Sequence, residues 1–166
     1  TPRPAHTATR LADHSPFGPG PVLLCGGIGA NGEALDSCEV VIPPTDPLDE
    51  TTYGTADVVP VAGRLQTGRV GHTATLLDTG EVLIVGGGDV GRDLVAGDLF
   101  DPTPDPPQVR ATLGTPSSAR TGHAALFLGG GDVLLVGGNV LDGDVVGPTK
   151  SAEIYSRGSD SFTPVA

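Results

Sequence analysis

The sequence predicts an all-β fold built from repeated four-stranded antiparallel units, and three observations carry that prediction. First, one pattern recurs, as GRVGHTATLLDTGEVLIVGGGD at residues 68–89 and ARTGHAALFLGGGDVLLVGGN at residues 119–139. His72 to His123 and Gly86 to Gly137 are both 51 residues apart, and self-similarity at a period near 50 denotes a repeat architecture. Second, the apolar segments are of strand length and are separated by turn residues such as Asp78-Thr79-Gly80 and Gly129-Gly130. Third, 26 Gly and 16 Pro make up about a quarter of the 166 residues, and both disfavour helix interiors.

The units divide the chain into residues 1–66, 67–117 and 118–166. The first copy, PRPAHTATRLADHSPFGPGPVLLCGG at residues 2–27, is looser. His6 to Gly26 is 20 residues against 14 in the other two copies, and the six extra residues fall in a Pro/Gly-rich lengthened turn. Each unit opens with a strand that follows its histidine. The second strand is Val22-Leu23-Leu24-Cys25, Val82-Leu83-Ile84-Val85 or Val133-Leu134-Leu135-Val136. The third carries an acidic residue among apolar ones: Ser37-Cys38-Glu39-Val40-Val41, Gly97-Asp98-Leu99-Phe100 and Ser151-Ala152-Glu153-Ile154-Tyr155. The fourth is Val58 to Val61, Val109 to Leu113 or Phe162 to Val165. The second strands are continuous apolar runs, which predicts burial on both faces. Small four-stranded sheets achieve that by stacking radially on one another, so the predicted fold is a β-propeller.

The units resemble kelch repeats. The resemblance rests on the paired glycines that end the second strand (Gly26-Gly27, Gly86-Gly87, Gly137-Gly138), on the acidic-apolar-aromatic pattern of Ala152 to Tyr155, and on the period. Kelch repeats often carry a tryptophan in the fourth strand. This chain has none and offers Val58, Val109 and Phe162; Val41 stands where the third-strand aromatic belongs. The resemblance implies a propeller of about six or seven blades used mainly as a binding scaffold. Three blades are too few to close, and six-fold closure asks about 60° of each blade. Two chains related by a two-fold rotation then complete a ring, with blade three of each on blade one of the other. The expectation is a homodimer forming one six-bladed propeller, with no strand left over at either end; the alternative is one half of a longer polypeptide. Methionine is absent, as expected of a processed chain or a fragment.

Arginine precedes histidine by three residues in every copy, as Arg3/His6, Arg69/His72 and Arg120/His123. Rings of such pairs near an axis admit an anion or metal site. A residue that recurs once per unit belongs instead to the frame, and the expected role is structural: each arginine pairs with its unit's carboxylate, Glu39, Asp98 or Glu153, and each histidine bonds backbone at a strand start. Gly86 to Gly91 formally fits G-x-G-x-x-G, but no helix follows to meet a pyrophosphate, so no cofactor is expected. Cys25 and Cys38 admit two readings. They can face each other across a hairpin as a disulfide, or serve as small buried apolar groups where other units have Val85, Val136 and Ala152. Two cysteines and four histidines make no zinc spacing. Asp142 and Asp144 lack the further oxygens of a calcium loop. No metal site and no catalytic residue is expected.

With 9 Lys+Arg against 20 Asp+Glu, the formal charge is −11, which argues against nucleic acid and anionic membrane surfaces. No apolar run approaches the roughly 18 residues of a spanning helix. The connections between second and third strands (residues 28–36, 88–96 and 139–151) differ in length and sequence, as binding loops on a rigid frame do. Asn31, Asp89, Arg92, Asp93, Asn139, Asp142 and Asp144 are the candidate contacts with a protein partner. A lectin or enzyme using the axial channel is the competing reading, and the low aromatic content, 4%, leaves little surface for stacking sugars. One lysine and marked acidity suit an exported or cell-surface bacterial protein.

Overall fold

Short connections leave successive strands only antiparallel neighbours, and the strands of each repeat pair in chain order. The computed structural model describes residues 2–44, 56–89, 92–93, 96–142 and 145–165. Sheet I contains β1 (Thr7–Arg10), β2 (Val22–Cys25), β3 (Cys38–Ile42) and β4 (Asp57–Pro60), in that order. Sheet II contains β5 (Val70–Leu76), β6 (Val82–Asp89), β8 (Gly97–Asp101) and β9 (Gln108–Ala111), with β7 (Arg92–Asp93) folding back on the end of β6. Sheet III contains β11 (Ala124–Gly129), β12 (Asp132–Val136), β15 (Ala152–Ser156) and β16 (Ser161–Val165). A small fourth sheet joins β10 (Arg120–Thr121), β13 (Asn139–Asp142) and β14 (Val145–Pro148).

Sheets I, II and III stack face to face, and two apolar cores lie between them. Leu23, Cys25 and Val40 of sheet I meet Val82, Ile84 and Phe100 of sheet II. The other face of sheet II, with Leu83, Val85 and Leu99, meets Val133, Leu135 and Tyr155 of sheet III. Each fully buried side chain of this size contributes about 1.5–3 kcal/mol.

The expected burial of every second strand on both faces holds only for β6, in the middle of the stack, where Val82 to Val85 are at most 1% exposed. In β2 and β12 burial alternates, because sheets I and III each have one neighbouring sheet. The uncovered face of sheet I carries Val22, Val41 and Val58, and that of sheet III carries Leu126, Leu134 and Ile154. Val58 is 55% exposed and Leu126 60%.

Two expectations about the connections are corrected. Residues 139–151 are not a loop: Asn139 and Asp142 lie on β13, which forms a hairpin with β14 and pairs with β10. The β-branched and aliphatic run Val140-Leu141 and Val145-Val146 supplies strand propensity, and Arg120 and Thr121 offer an edge to pair with. Asp89 likewise ends β6, and Arg92 and Asp93 form β7. Only Asn31 sits in a turn, exposed, between the bridged residues Ile28 and Ala34. Asp144 lies outside the described residues. The cysteines form a disulfide, since Cys25 and Cys38 are direct cross-strand partners at the end of the β2–β3 pair.

Candidate functional site

In each unit the arginine leads into the first strand and its guanidinium reaches the turn joining the second and third strands. Arg3 Nη1 donates to the carbonyls of Gly26 (3.2 Å) and Ser37 (3.0 Å), and its Nη2 pairs with Glu39 Oε1 at 2.7 Å. Arg69 donates to the carbonyls of Gly86 and Ala96 and pairs with Asp98 at 2.5 Å. Arg120 donates to Gly137 and Ser151 and pairs with Glu153 at 2.8 Å. A planar fork with several donors suits this task, closing the turn and holding the acid of the third strand together. The surroundings differ between units. The side chains of Arg69, Asp98, Arg120 and Glu153 are 0% exposed, whereas Glu39 is 22% exposed, because its face of sheet I is the uncovered one.

The expected bond from histidine to backbone is found at His6, whereas His72 and His123 link neighbouring sheets through side chains instead. His72 Nε2 lies 2.8 Å from Thr7 Oγ1 of sheet I, and His123 Nε2 lies 2.9 Å from Thr73 Oγ1 of sheet II. His6 has no preceding sheet to reach, and its Nδ1 donates to the Arg3 carbonyl at 2.6 Å. Burial, reinforced by Arg69, pushes the His72 imidazole down to about 4; burial and Arg120 do the same to His123, against the pull of Glu153. Both rings are therefore neutral at pH 7 and act as hydrogen-bonding plates.

The paired glycines make room for these plates. A Cβ at Gly26, whose φ is +63°, would lie 2.6 Å from both the Arg69 carbonyl and His72 Cε1. At Gly86, with φ +67°, it would lie 2.8 Å from His123 Cε1. Both positions demand glycine twice over, for the left-handed backbone and for the approach of the next sheet. The Gly27 N–H also donates to the Arg69 carbonyl at 3.0 Å.

Further clasps escaped the sequence reading. Tyr155 donates to Asp160 (2.8 Å), which also accepts from Arg110 of sheet II at 2.7 Å. Glu81 of sheet II takes two hydrogen bonds from Arg157 of sheet III, at 2.5 and 2.9 Å. The threonines were signalled by the doublets His6-Thr7 and His72-Thr73; the other partners come from turns with no repeated spacing. A cleft of 340 Å³, lined by Pro16, Phe17, Val59, Pro102, Pro104 and Pro107, opens between the β1–β2 and β8–β9 connections. It holds no histidine or cysteine, and Asp105 is its one lining carboxylate. Among the described residues no group of three or more His, Cys, Asp or Glu is placed to hold a metal ion. Asn31, Asp89 and Asn139 are exposed on the second-to-third-strand connections; the side chains of Arg92, Asp93 and Asp142 lie outside the described residues.

An all-β stack of four-stranded antiparallel sheets, cross-linked at the start of every first strand, defines a propeller-like protein. The chain is similar in fold to the structure of YjhT, with a TM-score of 0.69 at 15% sequence identity; the match covers 99% of this chain and 52% of that one. The chain thus spans about half the length of that protein. No family model and no curated protein matches the sequence.

Proposed function

We propose that the chain is a kelch-type propeller scaffold without enzymatic activity, carrying three blades, that assembles as a homodimeric six-bladed ring. It binds a protein partner through the connections between second and third strands. The observation that carries this reading is the pair of uncovered sheet faces. Val58 is 55% exposed where sheet II has Val109 at 9%, and Leu126 is 60% exposed on the uncovered face of sheet III. A stack that ends in two such faces gains from association. The repeated Arg–His–acid sets fit a frame, since each arginine is paired with its own unit's carboxylate and His72 and His123 each reach a threonine of the preceding sheet. Recognition then belongs to the β2–β3 turn and the β6–β7 and β13–β14 hairpins, which differ from one another as scaffold-borne contact segments do.

The half-length match to YjhT favours one further reading, in which a longer polypeptide supplies the remaining blades. Light scattering behind a sizing column, over a dilution series, separates the two. A dimer runs at about 33 kDa, twice the 16.6 kDa of the chain. A stable monomer would remove the homodimeric ring and leave the longer-polypeptide reading.

A further inference from the structure

The geometry points to a second copy of this chain as the occupant of the uncovered face of sheet III, with the partner's Arg3 and His6 seated over Gly137. This inference rests on the ring reading above and specifies its seam. The two junctions inside the chain serve as the template. At each, a diglycine with positive φ receives the carbonyl of the next unit's arginine and the edge of its histidine ring. Gly137 repeats that backbone, with φ +68°, but the place is open: among the described residues a Cβ there would meet only the Thr149 carbonyl, at 3.6 Å. The receiving cradle is built, and the group it receives at the other two junctions is missing.

The flanking surfaces match in the same sense. Leu23 and Val40 of sheet I and Leu83 and Leu99 of sheet II face the next sheet; by register their counterparts are Leu134 and Ile154, on the uncovered face of sheet III. The opposite end presents Val22, Leu24, Val41 and Val58, counterparts of the buried Val82, Ile84, Phe100 and Val109. Sheet III therefore offers the surface that an incoming sheet covers, and sheet I is an incoming sheet with no other sheet under it among the described residues. The contact is head to tail, and a two-fold rotation closes it after two copies. Charge does not oppose it locally. Arg3 pairs with Glu39 and Arg10 with Asp13 on the incoming side, and on the face of sheet III that holds Leu126, Leu134 and Ile154 the neighbouring charge is Asp132, at the start of β12.

One position departs from the template. Where Thr7 and Thr73 meet the next unit's histidine, sheet III has Ala124. The seam thus lacks the hydroxyl that the inner junctions have, which yields a gain-of-affinity test. Ala124→Thr restores a partner for the partner's His6, and one hydrogen bond tightens association roughly fivefold.

Sedimentation equilibrium of the chain and its variants decides the matter. The expected result is a dimer for the parent chain and a monomer for Leu126→Asp. The circular dichroism of that variant should be unchanged, because Leu126 is 60% exposed. Ala124→Thr should tighten the dimer roughly fivefold, and His6→Ala in the same chain should abolish that gain. A parent chain that is monomeric at every concentration overturns both the seam and the homodimeric ring. A dimer indifferent to Leu126→Asp, or an Ala124→Thr gain that survives loss of His6, overturns the seam alone and leaves the scaffold reading standing.

Discussion

His123 Nε2 lies 2.9 Å from Thr73 Oγ1, so the start of sheet III is pinned to the first strand of sheet II by one side-chain hydrogen bond. His72 repeats the bond to Thr7 one sheet earlier. Both rings are buried, and each lies against a glycine of the preceding sheet. These are the points at which the stack senses acid.

Stability should fall with pH across the window from about 6.5 to about 4. Unfolded histidine titrates near 6.5 and the folded rings near 4, so between those values the unfolded chain binds more protons. The contribution is fully present above 6.5 and is lost as pH falls toward 4. Each ring contributes on the order of 2–3 kcal/mol. Burial is the main cause, with Arg69 and His6 also facing His72, and Arg120 and Glu153 facing His123. Urea unfolding at pH 7 and pH 5 checks this; a His123→Gln chain should show a clearly smaller loss between the two.

Asp98→Asn should cost about 3–5 kcal/mol, because it leaves the fully buried Arg69 guanidinium without a counter-charge. Glu39→Gln should cost less, about 1–3 kcal/mol, because Arg3 is also buried but Glu39 keeps 22% exposure, so water can reach the pair. Comparison of the two urea midpoints is the measurement, and equal losses would contradict the assigned difference in burial.

Reduction of the Cys25–Cys38 disulfide should lower stability by about 3 kcal/mol, given a sequence separation of 13 residues. A Cys25→Val, Cys38→Ala chain should fold and recover part of the packing, since Val85 and Val136 occupy the first position in the other units. Melting with and without a reductant should separate the parent chain by several degrees and leave the double variant unmoved.

Tyr155→Phe should cost about 1–2 kcal/mol by removing the buried hydrogen bond to Asp160, with ring packing on Phe162 retained. Burial and the neighbouring Asp160 push the tyrosine hydroxyl upward, so it stays protonated and donating through the alkaline range. Near-UV circular dichroism should preserve the fold signature while the unfolding midpoint drops.

The arginine, the histidine and the carboxylate of each unit were legible because they recur at matching places in every repeat, and the arginine-to-acid pairing follows from that recurrence. The diglycines were legible for the same reason. Thr7 and Thr73 were visible only as the residues following a histidine, since their role depends on which neighbouring sheet lies within reach. The β13–β14 hairpin was hidden because its pairing edge, Arg120–Thr121, lies about 20 residues upstream. The Asp160 and Glu81 clasps were hidden because they join turns of different sheets.

The four strands of each repeat, their order and the turn glycines are local properties, set by short apolar runs between residues that break them, and the chain determines these by itself. Whether Asp98 is sealed at 0% exposure while Glu39 keeps 22% is not written in either residue or its neighbours in sequence. Only the stacking of one sheet on the next decides it, because burial belongs to what covers a face, and the two ends of this stack are covered by nothing within the described chain.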